Sequence, residues 1–243
     1  MKLDMKTAKL HEDYTKWHYK FAIAWVLEAP TEVLKPKLPK ELQILEIRPG
    51  VSTLFISLLD FKPGNYNCEA PCKELSVSIQ VLPELGLCEA TPRYAVYTIS
   101  LGSDDKNFLT SDYSIDKLPA YDDTLSFDVD YSKFRVQCYD SQNKPVFDLS
   151  NTHQDPKFAM EDIFFQVFSE KEGKLYHGGA MMKGNIFLHQ DNPSSAGRLY
   201  PHPVFRGINV EDIDLQETFM QLLMEPGSDG EEIYFRLRPW AAI

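Results

Sequence analysis

The sequence predicts an α+β chain that is mostly antiparallel β, and three observations carry that reading. Short runs alternate apolar and polar residues, most cleanly in Leu75-Ser-Val-Ser-Ile-Gln-Val81, which puts Leu75, Val77, Ile79 and Val81 on one face of a strand. Turn signals such as Pro49-Gly50 and Pro63-Gly64 separate several of these runs. The composition, 43% hydrophobic and 12% aromatic over 243 residues, suits strands and is enough to build a sizeable core.

A polar leader over residues 1–18 runs into Phe21-Ala-Ile-Ala-Trp-Val-Leu27, an unbroken apolar run that reads as a buried first strand. Thr31 offers an N-cap for a short helix, which Pro36 and Pro39 stop within about two turns. After the Pro49-Gly50 turn, Val51 to Leu59 forms the next strand, and Lys62-Pro63-Gly64-Asn65 turns the chain again. Strands follow at Leu75–Val81, Tyr94–Leu101, Leu125–Asp130 and Phe134–Cys138. Further strands are expected at Ile163–Phe168, Leu175–Leu188 in two pieces, Val204–Val210 and Ile233–Leu237. A second helix is expected over about Val210 to Met224, where Ile213, Phe219, Leu222 and Leu223 share a face. Asp191 to Gly197 reads as a flexible polar loop. With no linker or repeat in view, residues 1–243 are expected as one domain, a sandwich or a barrel.

Charge narrows the function. The 25 basic residues against 36 acidic ones leave a net charge of −11, which argues against nucleic acid and against an anionic membrane surface. The first ten residues have no apolar signal core, and Phe21 to Leu27 is too short to span a bilayer. A cytoplasmic location with reduced thiols is the expectation. Cys68 and Cys72 are spaced for half a zinc site, but no second pair follows, and the six histidines show no ligand spacing. No metal is expected. His177-Gly178-Gly179 lacks the strand–turn–helix order of a phosphate loop, so these glycines mark a bulge or a tight bend. No Gly-x-Ser-x-Gly elbow exists to support a nucleophilic triad.

Three segments taken together resemble the acetoacetate decarboxylase superfamily. They are Leu38-Pro-Lys-Glu-Leu-Gln-Ile44; the strand Thr53–Leu59 with Asp60-Phe61 and the turn Gly64-Asn-Tyr-Asn-Cys-Glu69; and Thr124-Leu-Ser-Phe-Asp-Val-Asp-Tyr-Ser-Lys-Phe-Arg-Val136. The resemblance spans roughly residues 20–136. It implies a cone-shaped antiparallel β-barrel with an apolar interior and a few flanking helices. It also implies a lyase or Schiff-base enzyme, in which a pocket lysine condenses with a small keto acid and the protonated imine takes up the electrons left as carbon dioxide departs. That lysine needs a depressed pKa, from an apolar surrounding or a second cation.

The resemblance places Lys117 at the catalytic position. The chain departs from the family there: Asp116 stands where the family has proline, Leu118 where it has a second lysine, and Thr110-Ser-Asp112 where it has Gly-Arg-Glu. Glu69 falls near the family's pocket glutamate, as a second catalytic candidate that orients substrate or handles a proton. Lys20 stands where active relatives carry a carboxylate-binding arginine, keeping the charge without the bidentate geometry. The expected partner is a small carboxylic or keto acid, with no nucleic acid and no membrane; self-association into a homo-oligomer stays open. The imine route needs no cofactor, and none is expected. The alternative is a small-molecule-binding barrel of the same superfamily that does not decarboxylate.

Overall fold

A computed structural model describes residues 13–65, 70–87, 91–109, 117–153, 155–191 and 193–240. β1 (Tyr14–Pro30) organises the whole. It starts at Tyr14 and not at Phe21, so residues 14–18 of the expected leader belong to the first strand. Pairing over a long sequence distance holds them there, from Tyr14 opposite Phe235 to Tyr19 opposite Gly230. Phe21, Ile23, Trp25 and Leu27 enter one hydrophobic cluster, while Ala22, Ala24 and Val26 enter another. Both faces are covered, and this is why the segment reads as one apolar run without alternation.

The remaining elements in chain order begin with α1 (Thr31–Leu34), β2 (Val51–Phe61), β3 (Lys73–Gln80) and β4 (Tyr94–Ser103). Next come α2 (Lys106–Leu109), β5 (Leu125–Asp130), β6 (Arg135–Asp140) and β7 (Pro145–Asn151). The last are β8 (Ala159–Lys171), β9 (Lys174–His189), β10 (Ser195–Leu199), β11 (Thr218–Met224) and β12 (Gly230–Pro239). Seven strands close a ring in the order β1, β2, β3, β4, β8, β9, β12 and back to β1. β4 and β8 are parallel, and the other pairs in the ring are antiparallel. β11 shares the position of β12. It pairs with Ile23–Leu27 of β1 and with Ile186–His189 of β9, while β12 fills the other end of the same slot.

A second sheet, ordered β10-β7-β6-β5, packs on the outside of this ring. Its Phe134, Val136, Phe147 and Leu149 join Phe21, Trp25, Leu58, Leu75 and Val77 in the larger core. The Trp25 and Phe147 rings meet edge to face at 6.3 Å, and Phe21 stacks on Phe134 at 6.0 Å. Hence one wall of the ring has the second sheet on its outer face and the lumen on its inner face.

Several local expectations are corrected. The helix expected at Val210–Met224 is a 3₁₀ turn at Val210–Asp212 followed by β11. Met220, Leu222 and Met224 point to the lumen core and Leu223 to the outer core. This period of two overrides the helical one, because β1 and β9 need a strand between them. Val204–Val210 is not a strand; it opens with a 3₁₀ turn at Pro203–Phe205 that ends on left-handed Arg206. Residues 195–197 of the expected polar loop belong to β10, which runs on to Leu199, and β9 is continuous instead of being in two pieces. Thr31 does begin a short helix, but its hydroxyl bonds Ser52 at 2.8 Å and does not cap it. The turns at Pro49-Gly50 and Pro63-Gly64 stand as expected, with Gly50 at φ +78° and Gly64 at φ +84°. The bend expected near His177-Gly178-Gly179 coincides with a register shift between β9 and β12. Among the described residues, no helix is long and apolar enough to cross a membrane.

Candidate functional site

The ring encloses a cavity of about 100 Å³. Its walls are mainly apolar, with Phe55, Leu59, Phe165, Val167, Met182 and Leu222 prominent. A strand alternates faces, so the outward set Leu75, Val77 and Ile79 of β3 forces Glu74, Ser76 and Ser78 inward. The same logic on β12 turns Glu232 and Tyr234 into the lumen. β3 and β12 face each other across it, with β2 and β1 between them on one side and β4, β8 and β9 on the other.

Ser78 donates to Thr98 at 3.2 Å and lies 3.2 Å from the Ser76 hydroxyl, forming a short hydroxyl chain along β3 and β4. Glu74 and Glu232 are different. Among the described residues, neither carboxyl accepts a hydrogen bond or meets a cation. Both are partly buried and line the cavity. Burial lifts the Glu74 carboxyl well above the usual carboxylate range, and the Glu232 charge adds to the lift. Burial also pushes Glu232 up to about 7. Tyr234 is raised by burial and then by the two carboxyls, and its buried hydroxyl has no hydrogen-bond partner among the described residues. Tyr19, beside Glu232, is raised by burial first and donates to the Lys183 carbonyl at 2.9 Å. Glu232 therefore exchanges its proton near neutral pH, the condition for a carboxyl to act as acid or base.

Of the residues singled out from sequence, Lys117 and Lys20 are not among those lining the cavity. The Lys117 backbone carbonyl accepts from Ser169 at 2.9 Å, and its Nζ lies 5.9 Å from the Tyr176 ring centre. Its neighbour Leu118 is buried and lines the cavity. Lys20 lies 3.5 Å from the Oδ2 of fully buried Asp60. Asp60 in turn accepts a 2.5 Å hydrogen bond from Tyr131, on the turn between β5 and β6. Lys20 thus serves as counter-ion on the side of the second sheet. Glu69 lies outside the described residues. Among the described residues lining the cavity there is no lysine, arginine or histidine, and no group of metal-ligating side chains occurs.

Glu74 and Glu232 escaped sequence reading because the polar half of an alternating strand is ordinarily its solvent face. A signal was present nonetheless: Glu74-x-Ser76-x-Ser78 pairs an acid with small hydroxyls, which a strand facing water has no need to select.

No protein family and no curated protein matches the sequence. Solved structures do. An acetoacetate decarboxylase structure matches with TM-score 0.59 at 11% identity, over 99% of this chain and 94% of the other. An acetoacetate decarboxylase-like enzyme from Sphingomonas wittichii matches with TM-score 0.58 at 10% identity, over 96% and 95%. The acetoacetate decarboxylase of Legionella pneumophila matches with TM-score 0.57 at 10% identity, over 99% and 95%. The chain thus has the fold of the acetoacetate decarboxylase superfamily, closed around a lumen whose described charged groups are two glutamates.

Proposed function

We propose that this protein binds a small molecule in the barrel lumen and exchanges protons with it through Glu74 and Glu232. One observation carries the reading: two carboxyls without partners among the described residues face a mostly apolar cavity. Leaving such groups unpaired in a core is costly, and a ligand that pairs them offsets the cost. A carboxyl that titrates at about 7 is matched to proton transfer at neutral pH. Methyl NMR against a library of compounds with about ten or fewer heavy atoms tests this, since each water-sized position takes roughly 10–15 Å³. Signals from Met182, Met220 and Leu222 are expected to shift, while those of Ile56 and Val136 in the outer core stay put. If no compound moves the lumen methyls, the reading fails.

A second reading keeps Lys117 as an imine-forming residue acting on a small keto acid. It is supported by the fold shared with proteins named acetoacetate decarboxylase and by the place of Leu118 in the cavity wall, next to Lys117. The Lys117 amine would attack the ketone carbon and expel water, and the imine would accept the electron pair as carbon dioxide leaves. Borohydride trapping with acetoacetate, followed by peptide mass mapping, is expected to mark Lys117. An unmodified Lys117 removes this reading and leaves the first intact.

A further inference from the structure

We propose that the ligand of the lumen is a small organic amine, carried in as its ammonium ion and held between Glu74 and Glu232. The inference rests on the lumen being a binding site, as proposed above, and adds the charge and donor pattern of what binds there.

The first argument is the inventory of donors and acceptors. The carboxylates of Glu74 and Glu232 accept hydrogen bonds and have none from the described protein. Tyr234 adds a buried hydroxyl that also lacks a partner. Ser76, Ser78 and Thr98 already bond among themselves. The cavity thus offers more acceptors than donors and, among the described residues lining it, lacks any cation. An ammonium group supplies three N–H donors and one positive charge, enough for a bond to each glutamate and one to the Tyr234 oxygen.

The second argument is the cost of the alternatives. A carboxylate ligand would enter a space with two carboxyls and no described cation, and would have to keep both protonated to be tolerated. A neutral alcohol brings a single donor for two carboxyls. Bringing an ammonium between two partly buried carboxylates in a mostly apolar cavity replaces repulsion with attraction, and so offsets the desolvation of all three groups. Volume limits the rest of the molecule. About 100 Å³ holds about seven to ten water-sized positions, which suits an alkyl group of about four to six carbons against Phe55, Val167 and Leu222.

The test compares isosteres on the intact protein by titration calorimetry: 3-methylbutylamine, 3-methylbutanol and 3-methylbutanoate. At about pH 8, the amine is expected to bind at least about tenfold more tightly than the alcohol or the acid. Its affinity should rise from about pH 5.5 to about 8 as Glu232 loses its proton, because an alkylammonium keeps its own proton until about pH 10. The other titratable groups near the pair are Tyr234 on β12 and Tyr19 on β1, and both stay protonated over that range. Glu74→Gln and Glu232→Gln, checked for folding by circular dichroism, should each lose about tenfold in amine affinity and leave alcohol binding little changed. Binding of the acid or the alcohol as tight as the amine overturns this inference while the lumen remains a binding site. Absence of binding by all three, with no shift of the lumen methyls, overturns both readings. The comparison of isosteres decides the matter even if a variant does not fold.

Discussion

Replacing Glu232 with glutamine should change how stability depends on pH more than it changes stability at any one acidic pH. An ordinary glutamate titrates near 4.5, and Glu232 titrates at about 7 because burial disfavours its charged form. The folded protein therefore binds this proton more tightly than the unfolded chain does. By linkage, the contribution is fully present below about pH 4.5, declines between about 4.5 and 7, and stays lost above that window. The difference in pKa corresponds to about 3 kcal/mol, and solvent entering the cavity reduces it, so about 2 kcal/mol is the effect to look for. Glutamine fills the same space and has no charge to desolvate. Urea denaturation followed by tryptophan fluorescence, in steps from about pH 4.5 to about pH 8, gives the curve for each protein. Relative to the wild type, Glu232→Gln should gain about 2 kcal/mol across that range, most of it between pH 5 and 7. Other titrating groups cancel in the difference, except Glu74, which titrates more easily once its neighbour is neutral. A difference curve that is flat, or that falls as pH rises, refutes the placement of this carboxyl in a desolvated lumen.

Three further outcomes test the frame around the site. Tyr131→Phe removes the 2.5 Å hydrogen bond to buried Asp60, whose other carboxylate oxygen already lacks a partner among the described residues, and should cost about 2 kcal/mol by denaturation without changing amine affinity. Trp25→Ala empties the fully buried contact between the ring and the second sheet, for a loss of about 3–5 kcal/mol measured the same way. Gly197→Ala places a Cβ 1.8 Å from the Asp148 carbonyl oxygen at φ +125°, so it should cost more than about 2 kcal/mol and weaken amide-exchange protection along β10 and β7.

How much of this was readable beforehand varies with the range of the interaction. The strands at Leu75–Val81, Tyr94–Leu101 and Leu125–Asp130 are legible because alternation along the chain is itself a local property. Gly50 and Gly64 announce their turns because positive φ favours glycine. The segment from Val210 to Met224 misleads because Ile213, Phe219, Leu222 and Leu223 also fit a helical face, and only the gap between β1 and β9 makes it a strand. Residues 14–18 look like a leader because their polar spacing is weak on its own; they become strand by pairing with β12 at the far end of the chain. Lys117 and Lys20 draw attention as lysines in a familiar order of segments, yet order along the chain does not say which way a side chain points.

The sequence by itself determined the β-rich class, most of the turns and the apolar faces of the strands, because each follows from the preferences of neighbouring residues. Tertiary structure alone decided that the polar faces of β3 and β12 look inward. A period of two puts Glu74 opposite Leu75 and says nothing about whether water or another strand lies beyond. Closure of the ring brought Glu74 and Glu232, far apart in the chain, to opposite walls of one small space, where desolvation couples them. That coupling depends on distance through the fold, and no spacing along the chain encodes it.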